Sequence, residues 1–378
     1  MAIVSPVFPY PRRGVYTGIE RYTEGICGGL KDLGFEVEVL TTYWNGGNEQ
    51  DSHNGVEIRR FKDTRSLLGR PGSIGQLDFL SLGFGAWRYL RRARPFDYVL
   101  YNLPYPYSSF TRCRRGTATI FHHVQPFRSV SNLFTHPFGH LYSELSKADV
   151  YVTPSRYSSL SFVSRFGLSS DKVVTVPEGV SGEFGAGHPE DLRSRFGPGQ
   201  VLLYVGNLTR TKGVLGLLAV FKRVARRLPQ AKLVLVGTGP LENEVELEVA
   251  SLGLEGKVYV EGQVGDASLP DYYSACDLFI SLSTVEGFGL VFLEAMSAGK
   301  PVVAFASASI PEVVGDCGIL VEPGKLDEIE AAALRLLSDP GLRADLGRRG
   351  KERAALFTWK RTASAVIEAI ESRVSRGR

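Results

Sequence analysis

The order strand, glycine-bearing loop, helix, strand occurs twice in this chain, and it constrains the fold more than any other feature. Residues 2 to 41 read as a short apolar strand, a loop holding Gly14 and Gly18, a helix with Ile19, Tyr22, Ile26 and Leu30 on one face, then Gly34 and a strand from Val37 to Thr41. Residues 201 to 236 repeat it: strand Val201 to Val205, a loop with Gly206 and Gly213, a helix with Val214, Leu217, Leu218, Phe221, Val224 and Leu228 on one face, then strand Leu233 to Val236. Each is a βαβ unit opening a parallel sheet.

Further strands are expected in the first half at Tyr98 to Tyr101, Ala118 to Phe121, Val150 to Thr153 and Val173 to Val176. In the second half they are expected at Val258 to Val260, Leu278 to Leu282, Pro301 to Phe305 and Gly318 to Val321. At 378 residues the chain is too long for one ordinary core. The expected fold class is therefore α/β, with two Rossmann-like domains facing a central cleft. Their join falls in Pro177 to Gly199, rich in Gly, Pro and charge, which fits a hinge better than a core element. Domain boundaries follow at residues 1–180 and 181–355, with a last helix, 356–378, packing back across the domains and anchored by Phe357 and Trp359.

The formal net charge is +4, but residues 1 to 180 hold 21 Lys and Arg against 15 Asp and Glu, and the remainder 23 against 25. Arg88, Arg91, Arg92, Arg94, Arg112, Arg114 and Arg115 form a dense run preceded by Phe79, Leu80, Leu82, Phe84 and Trp87. Such a mix suits peripheral contact with an anionic membrane or a lipid phosphate, against the plainer reading of a solvated helix face. Nothing in the charge pattern asks for a nucleic acid. The N-terminus has no basic region followed by a long apolar stretch, and no run of about 18 apolar residues occurs. Cys27, Cys113, Cys276 and Cys317 are scattered without a Cys-x-x-Cys pair, so neither a zinc knuckle nor a disulfide framework is expected. A cytoplasmic location, on the membrane's cytoplasmic face if peripheral, is the natural expectation.

The sharpest constellation for chemistry runs from Thr284 to Met296. It follows the strand expected at Leu278 to Leu282, at the carboxyl edge where open α/β sheets bind ligands, and enters a helix at about Phe288. Gly287 and Gly289 let backbone approach a ligand, and the free amides of a helix start receive phosphate. Glu286 precedes that helix and Glu294 lies inside it; each carboxylate accepts two hydroxyl hydrogen bonds.

Glu286, seven residues, then Glu294, with Gly287-Phe288-Gly289 after the first, resembles the signature of the retaining GT-B glycosyltransferases of family 4. Val205-Gly206-Asn207-Leu208-Thr209-Arg210-Thr211-Lys212-Gly213 is similar to the family's loop whose basic residues clamp a diphosphate. Val236 to Pro240, Gly262-Gln263-Val264, Tyr272 to Asp277, Pro311-Glu312 and Gly318 follow in the family's order. The resemblance spans nearly all the chain and is strongest from Val201 to Glu322. It implies an N-terminal acceptor-side domain, a C-terminal domain holding a nucleotide-sugar donor, and a hydroxyl acceptor on a glycan, lipid-linked glycan or lipid.

By that resemblance Glu286 holds sugar hydroxyls, Glu294 the ribose, Val264 offers backbone to the base, and Gly287 to Leu290 approach the diphosphate. His122, with His123 beside it, matches a histidine that contacts the transferring sugar, and Gly18 matches an N-domain glycine loop whose plainer reading is a helix-start turn. The family often has Arg after the first glycine where this chain has Asn207, which shifts that duty toward Arg210. No Asp-x-Asp occurs, so neither a metal nor another cofactor is expected, and Arg210 with Lys212 must neutralise the leaving group.

His136 and His140 have helical metal-ligand spacing, but Pro137 and Gly139 spoil a helix there. Neither a Walker loop nor a Gly-x-Ser-x-Gly elbow is present. The rival readings are a non-catalytic nucleotide-sugar-binding subunit and a GT-B nucleotide-sugar epimerase.

Overall fold

The computed structural model describes residues 1–6, 8, 18–42, 48–61, 76–93, 95–103, 108–111, 113–120, 148–166 and 169–375. These form two compact units: one takes the described residues up to Gly179 and those from Trp359 onward, the other Val180–Thr358.

The first unit is built on eight strands: β1 (Ala2–Val4), β2 (Glu38–Thr42), β3 (Gln50–His53), β4 (Val56–Phe61), β5 (Tyr98–Tyr101), β6 (Gly116–Ile120), β7 (Val150–Thr153) and β8 (Val173–Thr175). Their order is β3-β4-β2-β1-β5-β6-β7-β8, parallel throughout except for β3 against β4. The β3–β4 hairpin escaped the sequence reading because β3 reads Gln-Asp-Ser-His and is largely exposed. An edge strand with one pairing partner needs no apolar pattern, and polar residues there discourage pairing with another chain.

Alternation sorts β1 between two layers. Ile3 packs with Tyr22, Ile26 and Leu30 of the helix Gly18–Lys31 and with Val366 and Ile370 of the helix Trp359–Val374. Ala2 and Val4 face Leu82, Ala86 and Leu90 of the helix Gln76–Leu90. Just past β1 and β5, Asn102 Nδ2 donates to Thr23 Oγ1 at 2.6 Å and to Ser5 Oγ at 3.4 Å, all three side chains being buried. A polar cluster in a dry interior is tolerated because its members satisfy one another.

The C-terminal helix belongs to this unit because two glycines make room for it. A β-carbon at Gly29 would lie 2.2 Å from the Trp359 carbonyl oxygen, and one at Gly25 would lie 2.0 Å from the Trp359 ring. Trp359 meets Tyr22 edge to face at 5.5 Å.

The second unit holds a six-stranded, all-parallel sheet: β9 (Val201–Val205), β10 (Lys232–Val236), β11 (Val258–Gly262), β12 (Leu278–Ser281), β13 (Val302–Phe305) and β14 (Gly318–Val321), in the order β11-β10-β9-β12-β13-β14. Leu202 and Tyr204 enter one layer with Leu217, Leu218 and Phe221 of the helix Val214–Arg227. Val201 and Leu203 enter the other with Tyr273, Phe292 and Val313. Both faces are covered, so the strands are near-continuously apolar rather than alternating.

The division between the units, at Gly179 and Val180, falls inside the stretch expected to hold the join. Two details differ from expectation: the rest of that stretch contains the helix Glu190–Phe196, with Phe184 and Phe196 buried in the second unit's core. Its many polar residues concealed two aromatic anchors at wide spacing. The helix expected from about Phe288 starts at Leu290 instead, because Gly289 takes the left-handed conformation (φ 99°) and caps it.

Neighbouring glycines in the first helix should respond oppositely to substitution. Gly29→Ala should cost about 1–3 kcal/mol by overpacking against Trp359. Gly28→Ala, whose β-carbon meets nothing within 4 Å, should gain about 0.5–1 kcal/mol from helix propensity. Urea unfolding of both variants checks the pair; equal effects would show that the two helices do not pack this closely.

Candidate functional site

In the second sheet the connection from β9 crosses to β10 on one side, while β12 leads to β13 on the other. Loops leaving the carboxyl ends of β9 and β12 therefore part from one another and open a crevice, the place where doubly wound sheets take ligands.

The β9 loop is fixed from below. The Gly206 amide donates to the Val236 carbonyl at 2.9 Å, Leu208 to Thr238 at 2.9 Å, and Leu241 back to Leu208 at 3.1 Å. Gly237 is needed here because a β-carbon would fall 2.1 Å from the Gly206 carbonyl oxygen. From Arg210 to Lys212 the chain makes one tight turn and ends at Gly213 (φ 71°), where a β-carbon would strike the Leu282 carbonyl at 2.4 Å. Thus Gly213 both permits the turn and brings it against the end of β12.

The two loops are then joined directly. The Thr211 carbonyl accepts from the Thr284 amide at 2.9 Å and from its hydroxyl at 3.1 Å. Alongside, Lys212 Nζ donates to Glu286 Oε1 at 2.5 Å. Their side chains are only 19% and 9% exposed, so water screens this ion pair weakly. Nearby Tyr204 is buried; desolvation first, and the Glu286 charge second, push its phenol well up. It stays protonated and donates to the Asn207 carbonyl at 2.9 Å.

Glu294 lies in the first turns of the helix Leu290–Ser297 at 2% exposure, and Tyr273 donates its hydroxyl to Oε2 at 2.6 Å. Tyr273 is itself wedged between Phe184 and Phe279 at centroid distances of 5.6 and 5.8 Å. A buried carboxylate is costly unless it is hydrogen-bonded, and this donor is held rigidly for it. Phe288 is buried in the same core, Gly287 is buried, Gly289 and Leu290 are half-buried, and Val264 follows β11 half-buried against that core.

Arg210 behaves differently from Lys212. Its side chain is 79% exposed and lies 3.6 Å from Glu244, an ion pair open to water and therefore weak. The structure thus brings Lys212, Glu286 and the Thr211–Thr284 contact together and leaves the Arg210 guanidinium outside that cluster. Gly18 opens the first helix of the other unit, and a β-carbon there would meet nothing within 4 Å. His122 and His123, like His136 and His140, lie outside the described residues.

Sequence reasoning missed the support from Tyr204, Ser307 and Ser309, and quoted Tyr273 and Thr284 within motifs without giving either a task. None carries a distinctive spacing, and buried tyrosines are ordinary core residues until their hydroxyls are located. Nucleophilic thiol chemistry finds no candidate among the cysteines. Burial pushes the thiols of Cys113 and Cys276 up to about 11 and about 12, and those of Cys27 and Cys317 upward as well. No group of three or more His, Cys, Asp or Glu placed to hold a metal occurs among the described residues.

Comparison with known proteins places the chain in a family. Glycosyltransferase Family 4 matches residues 16–184 and Glycosyl transferases group 1 matches residues 193–353. A D-inositol 3-phosphate glycosyltransferase of Kineococcus radiotolerans is 32% identical over 95% of this chain and 91% of its own length. A GDP-mannose-dependent alpha-(1-6)-phosphatidylinositol monomannoside mannosyltransferase of Mycolicibacterium smegmatis is 29% identical over 99% of this chain and 98% of its own. The match to O-antigen chain mannosyltransferase B of Escherichia coli, 32% identical, covers 61% of this chain and 62% of that protein. HepE of Anabaena, solved in complex with UDP and glucose, superposes with a TM-score of 0.75 at 21% identity, over 98% of this chain and 99% of that one, which supports the GT-B fold. A crevice at the switch point lined by Lys212 and Glu286, and matches that together run along most of the chain, give one conclusion: this chain is a glycosyltransferase and belongs to family 4, the glycosyl transferases group 1.

Proposed function

We propose that this chain moves a hexose from a nucleotide-diphosphate donor to a hydroxyl acceptor with retention of configuration and without a metal ion. The Lys212–Glu286 pair at the β9–β12 crevice carries the reading, because it places one fixed cation and one hydroxyl-binding carboxylate side by side. The bond from the anomeric carbon to the diphosphate oxygen breaks, and the acceptor oxygen bonds to that carbon on the same face. The acceptor's proton goes to the departing diphosphate oxygen. Lys212 stabilises the negative charge that develops there, and Arg210, only weakly held by Glu244, swings in as the second cation. Glu286 orients sugar hydroxyls, Glu294 the ribose, and Val264 the base; His122 is kept as a contact of the transferring sugar. Positive charge from side chains takes the part for which an Asp-x-Asp metal site would otherwise serve.

The acceptor reading rests on the first unit. Phe84 and Phe110 are 46% and 56% exposed, Arg88, Arg91 and Arg92 are exposed, and the Arg91 guanidinium stacks 5.1 Å from the Trp87 ring centre. Aromatic rings beside arginines suit the headgroup level of an anionic bilayer, where a lipid or lipid-linked acceptor is found. No helix among the described residues is long and apolar enough to cross a membrane.

Three outcomes follow. Lys212→Ala should weaken nucleoside-diphosphate binding by on the order of 2 kcal/mol, whereas Glu286→Gln, which frees the ammonium, should tighten it severalfold while cutting turnover by roughly 100-fold. Titration calorimetry with UDP and GDP reads both; parallel losses would sink the pair's assigned roles. Turnover of nucleotide sugar should persist in excess EDTA, and activity recovered only with Mg²⁺ or Mn²⁺ would contradict the metal-free account. Sedimentation with phosphatidylglycerol vesicles should capture the protein and lose it on Phe84→Ser with Arg88→Glu and Arg91→Glu; equal capture by phosphatidylcholine would refute charge-led docking.

A further inference from the structure

The pairing of β11 with β10 is interrupted once, just before residues 262–264. Leu235 of β10 pairs with Val260, but Val236 pairs with Gly262, so Glu261 is an extra residue, a β-bulge in the edge strand. Counted from Val260, which packs in the layer of Leu217 and Phe221, alternation would carry Val264 into that same layer. Val264 packs instead in the opposite layer, with Phe288 and Leu290. The inserted residue therefore turns the stretch after β11 toward the side of the sheet that carries the loop of Glu286. The Gly237 amide donates to the Gly262 carbonyl at 2.7 Å, and Gly237 lies against Gly206, so the turned stretch is tied to the start of the β9 loop.

A bulge leaves its extra residue out of the ladder, and here the side chain holds it instead. The Glu261 side chain is 6% exposed. Its Oε2 accepts from Arg195 Nη1 at 2.8 Å and from the Tyr272 hydroxyl at 2.7 Å, and its Oε1 accepts from Arg195 Nη2 at 2.6 Å. Pairing of a guanidinium with both carboxylate oxygens fixes direction as well as charge. Arg195 comes from the helix Glu190–Phe196 and Tyr272 from the helix Leu269–Ala275, so two separate elements grip one carboxylate. Desolvation first, and the hydrogen bond to Glu261 second, push the Tyr272 phenol up to about 12, so it stays a proton donor.

We infer that Glu261, gripped by Arg195 and Tyr272, is a positioning residue that holds residues 262–264 against the nucleobase of the donor. The inference deepens the donor site proposed above and rests on its placing of Val264 at the base. Glu261 acts through the backbone: once released, the strand is free to slip to regular pairing, which turns Val264 to the other face. Lys212 then serves the diphosphate and the bulge serves the base, so the two parts of the donor are held by separable devices.

Titration calorimetry on the full chain with UDP, GDP and inorganic pyrophosphate separates them, because pyrophosphate carries the phosphates without a base. The wild type should bind one of the two nucleotides more tightly than pyrophosphate. Glu261→Ala should lose about tenfold in affinity for that nucleotide while pyrophosphate affinity stays unchanged, and Glu261→Gln, which keeps an acceptor for Arg195, should lose less. If the wild type binds none of the three ligands, or binds the nucleotides no better than pyrophosphate, the base contact assigned to Val264 fails and the inference fails with it. If the wild type prefers a nucleotide but Glu261→Ala keeps that preference, or weakens pyrophosphate equally, the positioning role is overturned while the donor reading stands. Should Glu261→Ala fail to fold, Tyr272→Phe, which keeps the ring beside Phe196 and removes one donor, decides. A selective severalfold loss of nucleotide supports the inference, and an unchanged preference refutes it.

Discussion

The pairing of β9 with β12, Leu202 against Leu278 and Leu203 against Phe279, is the contact on which the second unit depends. These two strands are distant in sequence, and between them the chain has already laid down β10 and β11 on the far side of β9. Because the crossovers diverge from this point, the loops leaving the carboxyl ends of β9 and β12 part from one another. The crevice is a consequence of strand order.

Within the crevice, backbone geometry and charge support each other. Gly213 lets the basic turn end against Leu282, and Thr211 accepts two hydrogen bonds from Thr284. Only then does the Lys212 ammonium meet the Glu286 carboxylate at 2.5 Å. Removing either from water is costly, and they offset that cost for each other. A ligand offering phosphate to one and hydroxyls to the other replaces the pair without leaving a buried charge unpaired. Glu294, also buried, accepts from the Tyr273 hydroxyl at 2.6 Å.

Much of the fold was legible in the residues. The βαβ units were found because parallel strands buried on both faces read as short apolar runs, and the strands Tyr98–Tyr101, Val150–Thr153, Val201–Val205 and Gly318–Val321 have the expected bounds. The β3–β4 hairpin was not legible, since an edge strand of polar residues carries no periodic signal. The division between the units falls at Gly179 and Val180, inside the stretch expected to hold the join, but the burial of Phe184 and Phe196 just beyond it was not legible because two aromatics are outnumbered there by Gly, Pro and charged neighbours. Of the two cations expected to act together, which stand two residues apart, Arg210 is 79% exposed and Lys212 19%. Sequence spacing does not reveal which side of a single tight turn faces the crevice.

The sequence by itself determined the two parallel sheets, the glycine-lined loops and the residues Lys212, Glu286 and Glu294, because periodicity, φ preferences and charge are local properties. Tertiary structure decided what those residues touch. Tyr273 reaches Glu294 across 21 positions, Lys212 reaches Glu286 across 74, and Ser309 reaches the Glu286 carbonyl across 23. Such pairings are fixed by strand order and loop closure, which bring together segments that no local pattern connects.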